Sequence, residues 1–131
     1  MTSPFDFSGR IALVTGASRG IGRAIVVSSN AAHSARAFWG PYAASKAAVE
    51  TLTRSWANET VNMKLRVNAF DPGPTRTAMR AQAMPGEDAK TLPHPSDVAR
   101  KMLPLASPAL TQTGLIYQAR HDRFVAYRDP E

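Results

Sequence analysis

A tyrosine and a lysine stand four positions apart at Tyr42 and Lys46. On a helix, residues at that spacing project from one face and can act on the same proton. A free phenol has a pKa of ~10, too high to exchange protons efficiently near neutrality, and a neighbouring ammonium favours its phenolate. Ser29 precedes Tyr42 by thirteen residues. If the run before it is a strand, its hydroxyl emerges at the strand's carboxyl end and can donate to a carbonyl oxygen on which negative charge builds. A third feature lies upstream, where Thr15-Gly-Ala-Ser-Arg-Gly-Ile-Gly22 follows an apolar run. Glycines there let the backbone approach a pyrophosphate, and a helix beginning in the turn offers unpaired N–H groups and the positive end of its dipole. Each feature also has an ordinary reading: a surface helix pair, a loop serine, a strand-to-helix turn.

These side chains need elements to hold them. Residues 10–15 form a short apolar run that reads as a buried parallel strand. Ala24-Ile25-Val26-Val27 is apolar enough to continue a helix from the glycine turn and β-branched enough to be a strand, and the sequence leaves both open. Residues 28–40 read as a loop. Pro41 suits a first helical turn, and residues 42–60 follow as a helix whose apolar stripe is Ala43, Ala44, Ala47, Ala48, Val49, Leu52 and Trp56. Residues 65–70 read as a second strand closed by Asp71-Pro-Gly-Pro74. Seven of the ten prolines lie between Pro72 and Pro108, so that stretch reads as loop. One short helix is expected within it, near residues 96–105, with Ser96 as N-cap and Asp97 in the first turn. Residues 115–118 suggest a last strand and residues 129–131 a loose tail.

A length of 131 residues suits one domain, here residues 1–131, with a modest core. The formal charge of +6 could attract nucleic acid or an anionic surface, but the cations are dispersed from Arg10 to Arg128, with no basic run or aromatic-interleaved basic face. Nucleic-acid and membrane partners are therefore not expected. The absence of cysteine excludes disulfides, thiolate metal sites and a thiol nucleophile. His33, His94 and His121 lack metal-ligand spacing, so no metal is expected. Residues 1–9 carry no secretory pattern and no apolar run approaches ~18 residues, which makes the cytoplasm the default.

Taken together and in this order, the glycine pattern (Thr15, Gly16, Gly20, Gly22), Ser29, Tyr42-Ala-Ala-Ser-Lys46 and the strand ending Val67-Asn68 with its turn Pro72-Gly73 and Thr77 resemble the classical short-chain dehydrogenase/reductases. The opening Phe5-Asp-Phe-Ser-Gly9 is similar to that of bacterial members related to oxoacyl-type reductases. The resemblance implies an α/β fold, a truncated doubly wound Rossmann-like parallel sheet flanked by helices. It implies an oxidoreductase that moves hydride between NADP, or alternatively NAD, and a small carbonyl or alcohol. Tyr42 would be the general acid or base, Lys46 would lower its pKa and hold the nicotinamide ribose, and Ser29 would orient the carbonyl. Thr15, Gly16, Ser18, Arg19, Gly20, Ile21, Gly22, Pro72, Gly73 and Thr77 would complete the cofactor site, with Arg19 favouring the extra phosphate of NADP.

The same resemblance exposes a gap. Between Ile25 and Val26 the sequence passes from the family's first helix to the end of its fifth strand, omitting roughly a hundred residues of the usual dinucleotide fold. Residues 1–25 then form a first βα unit and residues 26–131 the Ser/Tyr/Lys half. The strand that would recognise the adenosine ribose is missing, as is the family's catalytic asparagine; neither Asn30 nor Asn58 sits in an equivalent motif. A parallel crossover normally needs a dozen or more residues, and only ten separate Thr15 from Val26. Either residues 24–27 continue the helix and Ser29 loses its strand end, or the strand forms and the phosphate-binding helix shrinks to about one turn. Impaired activity is the expectation, with a noncatalytic, self-associating protein as the alternative; its Ala43, Ala47 and Ala48 would allow close helix approach in a homo-oligomer.

Overall fold

The computed structural model of the chain describes residues 22–127. Four strands, β1 (Arg23–Val27), β2 (Arg66–Asp71), β3 (Ile116–Gln118) and β4 (Arg123–Val125), form one sheet in that spatial order. β1, β2 and β3 are parallel, with Val27 opposite Phe70 and Asp71 opposite Gln118, and β4 returns antiparallel to β3. The ambiguous run therefore becomes a strand. Paired with β2 along its edge and covered by helices on both faces, the run is buried, an environment that suits Ile25 and Val26. The expected seam between Ile25 and Val26 falls inside β1, and no helix intervenes between Gly22 and Arg23.

Alternation along β1 sorts the core into two layers. Ala24 packs with Val67 and Ala57 against the long helix α2 (Gly40–Glu59), backed by Trp56 and Leu65. Ile25 packs with Phe70, Val98, Leu105, Tyr117 and Ala119 on the other face. Helices thus cover both sides of the parallel strands, as the doubly wound expectation required. Pro41 sits in the first turn of α2, where its missing N–H costs nothing. The expected apolar stripe is displaced, however: the buried positions of α2 are Glu50, Thr53 and Ala57, whereas Leu52 is 63% exposed and Ala44 and Ala48 are exposed too.

Short helical pieces replace much of the expected loop: α1 (Ala31–Ser34), α3 (Ala78–Ala83), a 3₁₀ turn (Ala89–Thr91), α4 (Pro95–Arg100) and α5 (Leu103–Ala106). The single helix expected over residues 96–105 is broken at Lys101–Met102. Pro104 has no N–H to give the Arg100 carbonyl and opens a new turn instead. His94 rather than Ser96 caps α4, its side chain accepting from the Ser96 N–H. β4 was not expected; Asp122, with φ +48, turns the chain back into it. No helix among the described residues is long and apolar enough to cross a membrane, and no group of three or more His, Asp or Glu there could hold a metal ion.

Candidate active site

The carboxyl ends of β1 and β2 lie side by side, and the candidate residues gather on that rim. Ser29 stands two residues past the end of β1. Its Oγ accepts a 3.2 Å hydrogen bond from the Ala31 N–H, which orients the hydroxyl and leaves its proton free to be donated. Lys46 reaches from α2 to the same strand end, its Nζ donating to the Val27 carbonyl at 3.2 Å. Burial lowers the Lys46 pKa from the ordinary lysine value. The ammonium lies 5.7 Å from the centre of the Tyr42 ring, so the one-turn spacing does bring the two together. Trp39, at the N-terminus of α2, meets the Tyr42 ring edge-on at 5.8 Å, and the Arg36 guanidinium lies 5.0 Å from the Trp39 ring centre. Tyr42 is thereby braced on one side by an aromatic edge and faced on another by a cation.

On the neighbouring strand, Pro72 and Gly73 follow directly after Asp71. Gly73 has φ +68, a conformation glycine adopts without strain, and its N–H donates to Asp71 Oδ1 at 3.0 Å. Thr77 Oγ1 accepts from the Arg80 N–H at 3.1 Å and caps α3, a role its sequence position did not suggest. A cleft of about 440 Å³ opens beside this turn, bordered by Pro72, Leu92, Val98, Lys101 and Arg120.

Gly22 is elsewhere. Its carbonyl accepts from the Arg66 N–H at 3.1 Å, at the starts of β1 and β2. Across the five residues of β1, at ~3.3 Å each, that is ~17 Å from the rim that carries Ser29. The resemblance groups Gly22 with Tyr42 and Lys46, but the direct step from Gly22 into β1 puts it at the opposite end of the sheet. Thr15, Gly16, Ser18, Arg19, Gly20 and Ile21 lie outside the described residues, as do the strand expected at residues 10–15 and the tail at residues 129–131.

Sequence reasoning missed Glu50. The helical repeat that puts Lys46 beneath Tyr42 puts Glu50 beneath Lys46, and Glu50 is 3% exposed. Ser28 Oγ donates to its Oε1 at 2.6 Å, and His33 Nε2 meets its Oε2 at 2.7 Å. Burial pushes the Glu50 pKa up, while the Ser28 and His33 contacts oppose the rise and the nearby Asp71 charge adds to it. An acidic residue on the same helical face as Tyr42 and Lys46 was the available signal.

Known proteins share this arrangement of sequence and fold. The short chain dehydrogenase family matches over residues 22–88, just over half of the chain. The chain belongs to that family. Relatives extend the match to more of the chain: an uncharacterized oxidoreductase, YciK of Escherichia coli, is 41% identical over 103 residues, covering 78% of this chain and 40% of its own. A short chain dehydrogenase from Salmonella enterica superposes with a TM-score of 0.70 at 39% identity, covering 78% of this chain and 42% of that one. One from Shigella flexneri complexed with NADP gives 0.70 at 39% identity, with 79% and 43% covered. The chain therefore spans about two-fifths of the length of these relatives.

Proposed function

We propose that the chain carries the reacting half of an oxidoreductase that moves hydride between NADP(H) and a small carbonyl or alcohol, working at reduced efficiency because the rest of the dinucleotide fold is cut away. The observation that carries this reading is the Lys46 ammonium, bonded to the Val27 carbonyl beside Ser29 and lying 5.7 Å from the Tyr42 ring. The family relative from Shigella flexneri complexed with NADP supports the choice of cofactor.

The described residues fit the nicotinamide-ribose half of such a cofactor. Lys46 has three donors, and beyond the one given to Val27 it can offer another to a ribose hydroxyl. The open turn at Gly73 lets backbone approach closely on the adjacent strand. Bound there, the cofactor would supply the hydride that reduces the carbonyl carbon. Ser29 donates its proton to the carbonyl oxygen as a hydrogen bond and holds the reacting group in place. Tyr42 gives the oxygen its proton in reduction and takes it back in oxidation. Arg19 and the glycines from Gly16 to Gly20, outside the described residues, are the ones proposed for the phosphates.

The test is turnover of NADPH absorbance with a broad panel of aldehydes and ketones. Tyr42→Phe should lower the rate about 100-fold or more, the usual contribution of a positioned general acid. Wild-type turnover unchanged by Tyr42→Phe would refute the role of Tyr42, and no turnover with any substrate would refute the enzymatic reading. A second reading, a noncatalytic self-associating protein, draws support from the exposed row Ala44, Ala48 and Leu52 on α2. Light scattering distinguishes it: association that is the same with and without NADPH, in a protein without turnover, favours the second reading.

A further inference from the structure

We propose that Glu50 is a positioning residue for this reaction, a carboxylate that fastens the segment carrying Ser29 to the helix carrying Tyr42 and Lys46. The inference rests on the function proposed above. Its two contacts bracket the serine: Ser28, immediately before Ser29, donates to one oxygen at 2.6 Å, and His33, four residues after it, meets the other at 2.7 Å. Lys46 adds a third tie one turn earlier on α2, to the carbonyl of Val27. Residues 27–33 are thus held at three points by the same face of α2 that presents Tyr42. The position of the Ser29 hydroxyl relative to the phenol is set by that face, with Glu50 acting through Ser28 and His33.

A carboxylate is a costly way to fill this space. Burying one is unfavourable by several kcal/mol unless its oxygens are bonded, and well-packed apolar side chains often replace buried ion pairs without loss of stability. Packing alone would be served as well by a leucine. What an apolar residue cannot supply is directional bonding to both flanks of Ser29. The exposed leg reinforces the point, because His33 has 57% of its side chain in solvent while its Nε2 meets the buried Glu50 carboxylate.

The groups around the carboxylate come from several elements. His33 lies on α1, Asp71 ends β2, and Tyr127 follows β4, its hydroxyl buried without a hydrogen-bond partner among the described residues. Burial and the negative charge of Glu50 both push the Tyr127 pKa up. On α2 itself, Lys46 lies one turn before Glu50, and the Arg54 guanidinium one turn after it lies 4.9 Å from the Tyr127 ring centre. Protonation of Glu50 places a hydrogen on one of its two oxygens and so redistributes the bonds it makes to Ser28 and His33.

Glu50→Leu and Glu50→Gln in the full chain separate positioning from packing. Gln keeps an acceptor for Ser28 and a polar partner for His33, whereas Leu keeps only the volume. The expected result is that Glu50→Leu lowers kcat about tenfold with KM for NADPH changed less than about twofold, that Gln restores most of the rate, and that the backbone amide NMR signals of Ser29 and Ala31 shift in Leu but hold near their wild-type positions in Gln. In the wild type these signals should also move through an acid transition that Gln abolishes. Unmoved Ser29 and Ala31 signals in Glu50→Leu, or a lowered melting temperature with kcat intact, would overturn the proposal. Should Glu50→Leu fail to fold, His33→Ala, which removes the exposed leg alone, is read the same way. If the wild type shows no turnover, the NMR comparison still decides the tie, and the failure belongs to the proposed reaction.

Discussion

The placement of Tyr42, Lys46 and Ser29 on one rim was readable because helical spacing and a strand end are local properties. Glu50 was not, because a glutamate within a helix reads as a solvated charge until the sheet that buries it is known. Its protonation has a consequence for stability. A carboxyl whose pKa is raised by folding holds its proton in the folded state after the unfolded chain has lost it, so the folded state binds more protons in that interval. The Glu50 contribution is therefore most favourable below the ordinary carboxylate range and is lost as pH rises from there through the raised folded value. Glu50→Gln removes this dependence. Denaturant unfolding at a series of pH values should give a flatter profile for Gln than for wild type between about pH 4 and the raised value; parallel profiles would contradict the assignment of burial as the dominant effect.

At the scale of elements, β1 was the undecided case, and pairing decided it. A run that can be helix or strand becomes a strand when both faces can be covered, and here α2 covers one face and α4 with α5 the other. Between β2 and β3, α4 and α5 were expected as one helix, whereas α3 and the 3₁₀ turn escaped because three to six residues are too few to show a period. The N-terminal end of β1 is held by Arg23, whose guanidinium donates to the carbonyls of Gly22, Lys64, Ser107, Pro108 and Leu110. Arg23→Met should destabilise the fold by about 2–4 kcal/mol, since it strands several part-buried carbonyls; chemical denaturation measures it. Gly73 carries a smaller penalty. A Cβ there would meet Arg120 Cβ at 3.7 Å, an ordinary contact, so Gly73→Ala should cost about 1–2 kcal/mol from its φ of +68 alone. A larger loss would mean that the turn resists substitution for reasons of packing.

For the whole molecule, family membership, the α/β class and the two-sided helical cover were legible, because motif order and composition are properties of the chain. The relation between the glycine pattern and the Ser29 rim was not legible, since it depends on which way the strand after Gly22 runs. It leads to a prediction about ligand size. An intact dinucleotide site draws much of its affinity from the adenosine half, whereas the described residues proposed for this site are those of the nicotinamide half alone. Reduced nicotinamide mononucleotide and NADPH should therefore bind within about tenfold of each other by calorimetry, a difference of ~1.4 kcal/mol. A preference for NADPH of a thousandfold would show that the phosphates are held after all.

The three parallel strands give the sheet two unlike ends, and Gly22 opens at the one away from Ser29, Tyr42 and Lys46. A change confined to the Gly22–Arg23 junction bears on Ser29, Tyr42 and Lys46 only through the way β1 is seated, as a foundation bears on the top of a wall. Substitutions at that junction are thus buffered from that rim, and their effects surface first in how firmly the sheet holds together.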